Sequence, residues 1–402
     1  MSTQVPGSVP TKEISVMATE EEIDDIDQIR LGALKQAIPS SCFQSSKTKS
    51  LLYVVRDIIY AGLLVYLALH ISMLPTTSLR VLAWLLYSFV QGCVGTGIWI
   101  LAHECGHGSF SSSKVLNDFV GWTLHSILLV PYFSWKYTHA RHHRYTGHIE
   151  KDVVFVPEIE GKLKEGNEAL LRTLMHHAEE TPIWTLLRLV RHQLFGWQIY
   201  LLLNATAGEK SLPEGKLRSQ GGVQSHFAMF GQLFSSTQRW GVLLSDVGIL
   251  LTLSTLYLVA GQLGWGLTLL LYVGPYLWVH HWLVAITYLH HTHPTVPYYT
   301  DATWTYTKGA ISTIDRSCGF LGQHFFHDII DHHVLHHLFP RIPFYHAEEA
   351  TRAIRPLLGS HYKEAKNESF IKSLFVTFRN CNVVTERAEG KPGHPQPLYW
   401  AR

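Results

Sequence analysis

The chain has 402 residues and a formal net charge of +2, a balance that gives no sign of nucleic-acid binding. Its five cysteines show no C-x-x-C spacing, which argues against a disulfide framework or a cysteine-type zinc finger. The unusual count is 26 histidines, too many for ordinary surface use.

The N-terminal segment is polar, and residues 1–10 lack the charged and apolar regions of a signal peptide. Residues 18–30, "ATEEEIDDIDQIR", are acidic, and we expect a solvated tail or a short surface helix there.

Two long apolar stretches follow at about 51–73 and 80–102, joined by "LPTTSL". Each is long enough to cross a membrane, since about 20 apolar residues at 1.5 Å per residue are needed. Arg56 and Asp57 are possible helical neighbours near one end of the first stretch. The pair of stretches predicts a transmembrane hairpin.

The second stretch runs directly into "HECGH", with His103, Glu104 and His107. This sequence fits H-E-x-x-H, the pattern of zinc metalloproteases in which the glutamate is the general base. It also fits the plainer frame H-x-x-x-H, which places two imidazoles on one helix face. The protease interpretation therefore stays open at this point.

The apolar segment 119–133 is too short to span and predicts an interfacial or re-entrant element. "HARHH" then carries His139, His142 and His143. The long segment 134–240 is rich in lysine and arginine, whereas the short hairpin linkers have none. The positive-inside rule therefore places this segment and both termini in the cytoplasm.

A second predicted hairpin has spans at about 242–261 and 265–289, joined by "GQLG". Histidines follow it directly in "LHHTHP", which contains His291, and again in "HVLHH", with His333, His336 and His337. By the charge argument every histidine group lies on the cytoplasmic side. The predicted fold is thus an all-α integral membrane protein of four spans, with a cytoplasmic helical cap that carries a histidine-rich dimetal site.

The spacing of these histidines predicts metal binding. Residues at i, i+3 and i+4 share a helix face, and neutral imidazole binds zinc, copper, iron or nickel. Eight or nine convergent imidazoles exceed one tetrahedral site and fit two metal ions. A zinc protease would leave both H-x-x-H-H groups unexplained. A metal transporter, the other alternative, would favour His repeats and polar residues within its spans.

"HECGH", "HARHH" and "HVLHH", set beside two hairpins, resemble the membrane-bound fatty acid desaturases, and the flanking sequence is similar to fungal delta-12 and omega-3 acyl-lipid desaturases. The resemblance implies a membrane domain at 46–380 between variable tails at 1–45 and 381–402. It also implies that Glu104 supports an imidazole. The metal ligands that it implies are His103, His107, His139, His142, His143, His291, His333, His336 and His337.

The same resemblance implies two iron ions, O2 as co-substrate and an endoplasmic reticulum membrane location. Electrons would come from an external donor, cytochrome b5 with its NADH-dependent reductase, because the chain has neither H-P-G-G nor G-x-G-x-x-G. The implied reaction is delta-12 desaturation of an oleoyl lipid. An omega-3 or bifunctional desaturase, a hydroxylase and an acetylenase remain alternatives. Ala140 and His332 depart from common family residues without removing a ligand.

Overall fold

The computed structural model describes residues 26, 29–160, 181–386 and 395–401. Most of the segment predicted as an acidic tail or surface helix, 18–30, lies outside the described residues. The described helices are, in order, α1 Leu31–Ala37, α2 Lys47–Leu69, α3 Thr77–His107, α4 Lys114–Ile127, α5 Tyr132–Tyr145, α6 Pro182–Leu203, α7 Arg239–Leu263, α8 Trp265–His291, α9 Tyr306–Ala310, α10 His333–Leu338, α11 Ala347–Leu358 and α12 Phe370–Asn380. The same described residues form the short strands β1 Glu158–Ile159, β2 Val383–Glu386 and β3 Leu398–Trp400.

Four of these helices are long and apolar enough to cross a membrane, among the residues that the structure describes. They are α2, α3, α7 and α8. Helices α3, α7 and α8 each contain one predicted span, whereas α2 covers the first predicted span as far as Leu69, before a 3₁₀ turn at Ile71–Met73. The all-α membrane fold is therefore confirmed. The boundaries differ most in α3, which continues to His107 and so carries "HECGH" on its last turns.

Local signals explain where the first hairpin helices begin and end. The side chain of Ser46 accepts a hydrogen bond from Lys49 N at the start of α2, and Thr76 accepts one from Leu79 N at the start of α3. Gly108 ends α3 in the left-handed conformation, with φ 75°, which glycine adopts without a steric penalty. These caps fix the position of "HECGH" at the membrane end of α3.

The central spans α3 and α8 pack closely through small residues. A Cβ at Gly92 would lie 2.3 Å from Trp278 Cβ, and one at Gly95 would lie 2.8 Å from Val279 Cγ2. Small residues permit such close approach of transmembrane helices, whose association depends on packing. The contact aligns the ends of α3 and α8, where two of the histidine groups are located.

The segment 119–133, expected as one interfacial element, is divided between two helices. Its first part belongs to α4, and α5 begins at Tyr132, directly after Pro131. Leu129, with φ 53°, makes the turn between them. Proline at this position lacks a backbone donor and so suits the start of a helix. The break redirects the chain, so that "HARHH" lies on a separate helix.

The long helix α6, Pro182–Leu203, was not predicted from the sequence. Helix α6 lies inside the basic segment 134–240 and packs against α8 and α12. Ile183, Leu187, Val190 and Leu194 on its outer face are exposed. Charged residues such as Arg188 interrupt its apolar sequence, and therefore hydropathy alone did not reveal it.

The described parts of both predicted tails pack onto the body of the protein. Leu34, Ile38 and Cys42 join the apolar cluster that α10 and α11 form. At the other end, β2 pairs in parallel with β1 and antiparallel with β3. The division at residues 45 and 381 stays a prediction, but these segments contribute to the cap over the histidine site.

Candidate metal centre

Four helices bring the nine predicted ligands together. The last turns of α3 supply His103 and His107, α5 supplies three more, α8 ends in His291, and α10 supplies the final three. One group of five has ligand atoms within 4.8 Å of one another, and its members are His103, His107, His139, His143 and His336. A second group comprises His142, His291 and His337.

The ninth predicted residue, His333, adjoins the second group. Its Nε2 lies 3.3 Å from His291 Nε2 and 3.1 Å from His337 Nε2. The two groups also touch, because the rings of His143 and His337 stack with centroids 4.1 Å apart. The structure thus places all nine imidazoles in one continuous site with two centres.

The distances between ring nitrogens fit metal ligands. The Nε2 atoms of His103 and His107 are 3.2 Å apart, and those of His139 and His143 are 3.1 Å apart. Ligands about 2.1 Å from one ion lie about 3.0 to 3.4 Å from each other in octahedral or tetrahedral geometry. The residues present therefore fit a metal ion in each group.

Two neighbours determine which ring nitrogen of a ligand carries its proton. Asp152 Oδ1 lies 2.9 Å from His142 Nδ1, so that nitrogen donates and Nε2 keeps its lone pair. Thr146 gives its hydroxyl proton to the His142 carbonyl oxygen and so accepts from His337 Nδ1, at 3.1 Å. Both Nε2 lone pairs then point toward other imidazoles, an arrangement that a cation stabilises.

Burial favours the neutral form of five ligand imidazoles outside the spans. Burial, aided by neighbouring imidazoles, holds the pKa of His139, His143 and His337 well below the usual range. The pKa values of His333 and His336 are lowered for the same reasons. Neutral imidazole is the form that binds metal.

Glu104 lies behind His103. Its Oε1 is 3.4 Å from His103 Nδ1, the ring nitrogen that faces away from the other ligands. Its Oε2 accepts hydrogen bonds from the Ser109 hydroxyl at 2.8 Å and from Phe344 N at 3.2 Å. This location suits a residue that orients an imidazole and joins α3 to the chain after α10. The protease role would require Glu104 to face the metal-bound water instead.

Two histidines near the ligands, His290 and His332, lie outside both groups of ligand atoms. His290 contacts two backbone carbonyl oxygens, of Ile286 at 2.6 Å and of Ile330 at 3.0 Å, so neither ring nitrogen is available. His332 lines a cavity of about 10 Å³ together with Glu104 and His336. A cavity of this size has room for about one water molecule.

A buried pair beside this cavity escaped the sequence analysis. Asp57, within span α2, has Oδ2 2.9 Å from His327 Nε2, and Arg56 Nε donates to its Oδ1 at 2.8 Å. Gly97 of α3 leaves space for the pair and its surroundings, because a Cβ at this position would lie 2.4 Å from the backbone oxygen of Phe325. The pair holds α2 against the segment that precedes α10.

The supporting residues of the centre were also missed. Asp152 follows His142 by ten residues, a spacing that has no periodic meaning, and nothing in the sequence marked it. Thr146 gave a weak signal, because it lies four residues after His142 and could return its hydroxyl to that carbonyl. Its second contact, with His337, depends on the fold.

Together the fold and the site define a helical membrane protein that has a histidine-rich centre able to bind metal at one end of its spans. The family model for fatty acid desaturases matches residues 79–365. The chain belongs to the fatty acid desaturase family and is therefore an oxidoreductase of fatty acyl lipids. The resemblance stated from the sequence is confirmed.

Curated relatives cover nearly the whole chain. An oleate hydroxylase of Claviceps purpurea is 40% identical over 91% of this chain and 80% of its own. A delta(12) fatty acid desaturase of Mortierella alpina is 40% identical over 90% of each chain. The delta(12)-fatty-acid desaturase of Arabidopsis thaliana is 40% identical over 92% of this chain and 90% of its own. Desaturases and hydroxylases are thus similarly close.

Proposed function

We propose that this protein is a delta-12 fatty acid desaturase, which removes one hydrogen each from carbons 12 and 13 of an oleoyl chain. The observation that carries the proposal is the convergence of nine imidazoles, in two touching groups, at the ends of spans α3 and α8. The position of the new double bond is supported by delta-12 relatives from fungi and plants.

The two groups would each hold one iron ion, the first with five imidazoles and the second with four, His333 included. When bound, the iron pair would allow O2 to be reduced and would provide the oxidising power needed to break an unactivated C–H bond. The overall reaction converts CH2–CH2, O2, two electrons and two protons into CH=CH and two water molecules. The two electrons come from cytochrome b5 and its NADH-dependent reductase.

The chain's own residues hold the ligand rings in place. Trp135 stacks on His139 with centroids 4.4 Å apart, and Trp99 lies 5.6 Å from His103 at 28° between planes. Asp152 and Thr146 fix the tautomers of two other ligand rings, His142 and His337. Such positioning decides which carbon pair meets the oxidant, because a displacement of about 1 Å changes the outcome greatly.

The protein would lie in the endoplasmic reticulum membrane with the centre on the cytoplasmic side. Spans α3 and α8 both end at the centre, and α2 and α7 begin on the same side, at Lys47 and Arg239. The positive-inside rule favours the cytoplasm for that side, since basic segment 134–240 connects the hairpins there.

A 12-hydroxylase is the second candidate, and the similarity to oleate hydroxylases of Claviceps purpurea and Ricinus communis favours it. Both outcomes begin at the same part of the same acyl chain. They differ in whether a second hydrogen is removed or a hydroxyl group is left behind. Small differences in substrate position decide between them.

Expression in a yeast that makes only monounsaturated lipids, followed by fatty-acid profiling, tests the proposal. We expect linoleate in cells that carry the wild-type protein, and none with His143→Ala or His336→Ala. Accumulation of 12-hydroxyoleate would instead establish the hydroxylase. Unchanged lipids despite an iron-loaded, folded protein would contradict both.

A further inference from the structure

A third cluster of metal-binding side chains lies outside the nine-imidazole centre. Cys42 is on a 3₁₀ turn at Ser40–Phe43, and His346 and Glu349 are at the start of α11. One ligand atom from each lies within 4.8 Å of the other two. Among the described residues, this is the only group of three or more close metal-binding side chains that includes a cysteine.

The surroundings direct the sulfur toward the other two side chains. Cys42 is fully buried, and its sulfur lies beside the side chains of Glu349 and Ser41. Burial and Glu349 raise the pKa of the thiol to about 11. His346 Nδ1 lies 3.9 Å from Glu349 Oε2. Thiol, imidazole and carboxylate therefore converge on one point.

We propose that Cys42, His346 and Glu349 bind a zinc ion, with a water molecule as the fourth ligand. Zinc prefers this mixture of sulfur, nitrogen and oxygen, at about 2.3 Å from sulfur and about 2.0–2.2 Å from the others. Neighbouring ligand atoms then lie about 3.3–3.6 Å apart, so no pair of ligand atoms has to close by more than about 1.5 Å. Binding releases the thiol proton to solvent, and the zinc–sulfur bond replaces the sulfur–hydrogen bond.

The outer two ligands can make that adjustment. The side chains of His346 and Glu349 are 26% and 54% exposed, so they can move, and the ion can enter from their side. The buried sulfur stays fixed by its apolar neighbours Ala350 and Ile354. The site therefore has one fixed ligand, the sulfur, and two ligands that can move and that face the solvent.

The consequence is a cross-link between distant parts of the chain. Residue 42 precedes the first span, whereas α11 follows "HVLHH" and shares an apolar cluster with Val334 and Leu335 of α10. Zinc would hold the N-terminal segment on the helices that cover the iron ligands. Because zinc binds only the folded arrangement, it would add to the stability of this cap.

Cobalt spectroscopy on the full-length, iron-loaded protein tests the site. Added Co²⁺ should give a thiolate-to-cobalt charge-transfer band in the near ultraviolet, a signal that imidazole ligands alone do not produce. We expect the band to be lost in Cys42→Ser and kept in Cys318→Ser, the matched control. Zinc should displace the cobalt and raise the unfolding temperature of wild-type protein and of the control.

Two further variants keep the test valid if Cys42→Ser fails to fold. His346→Ala changes a partly buried side chain and Glu349→Gln an exposed one. Each should weaken zinc binding at least about 10-fold while the iron content stays at the wild-type value. No charge-transfer band in the wild type, or an unchanged band in Cys42→Ser, would overturn the proposal. The result does not depend on which acyl product the iron centre makes.

Discussion

Replacing Asp152 by alanine tests how the second group of imidazoles is held. Asp152 Oδ1 accepts hydrogen bonds from His142 Nδ1 at 2.9 Å and from Val154 N at 3.0 Å, and the side chain is buried. Without the carboxylate, His142 can rotate or move its proton to Nε2. Either change removes a lone pair from the metal position that the second group forms.

The expected loss can be worked out in two ways. A hydrogen bond to a charged group contributes about 1.5–3 kcal/mol. Removing a residue that orients a metal-bound histidine lowers metal affinity or activity about 10- to 100-fold, which is about 1.4–2.7 kcal/mol at 1.36 kcal/mol per factor of ten. The two ranges agree, so we expect a 10- to 100-fold loss.

The assay compares iron retention under a fixed concentration of chelator, together with product formed per folded protein. Asp301→Ala is the matched control, because it removes the same charge from a carboxylate that is 49% exposed and pairs with Lys151 and Lys210. Asp152→Asn keeps an acceptor oxygen and should fall between the two. If Asp152→Ala retains iron as well as Asp301→Ala does, Asp152 does not hold His142 for the metal.

Three further outcomes follow from the structure. Thr146→Val should lower iron retention about 10-fold because it removes the oxygen that accepts from His337 Nδ1. Thr146→Ser keeps that oxygen and should retain iron as the wild type does. Equal iron retention in the two variants would refute this role of Thr146. Gly92→Leu should yield no monodisperse protein in detergent, because a Cβ at residue 92 would meet Trp278. Gly261→Leu is the control and should give monodisperse protein, because the space around Gly261 is open. Monodisperse Gly92→Leu protein would contradict the packing of α3 against α8. Burial lowers the pKa of His226 to about 3 in the folded protein, compared with about 6.5 in the unfolded chain. As the pH falls below about 6.5, the unfolded chain therefore binds a proton that the folded protein does not, and the free energy of unfolding decreases. Between pH 7 and pH 5 the free energy of unfolding should drop about 2 kcal/mol more in the wild type than in His226→Gln. If the unfolding temperatures of the two proteins change equally over this pH range, His226 does not contribute in this way.

The membrane fold was predictable because it depends on composition. A span requires about 20 apolar residues whatever their order. This composition is recognisable in the sequences of α2, α3, α7 and α8. The ligand histidines were equally visible, since i, i+3 and i+4 spacing aims imidazoles to one side of a helix without knowledge of the rest. Helix α6 was not visible, because its arginines break the apolar run.

The contacts that support the ligands could not be predicted, because they join residues that only the fold brings together. Asp57 and His327 are 270 residues apart, and Thr146 and His337 are 191 apart. Arg56 and Asp57 did stand out as charges in an apolar stretch, and a buried charge requires a partner. Nothing in the sequence indicated that the partner of Asp57 lies shortly before "HVLHH".

Metal analysis of the purified full-length protein tests the central claim most directly. Nine imidazoles in two groups predict two iron ions per folded chain, with iron lost from His336→Ala in the first group and from His337→Ala in the second. One zinc ion per chain in place of iron, with proteolytic activity that Glu104→Gln abolishes, would contradict the account.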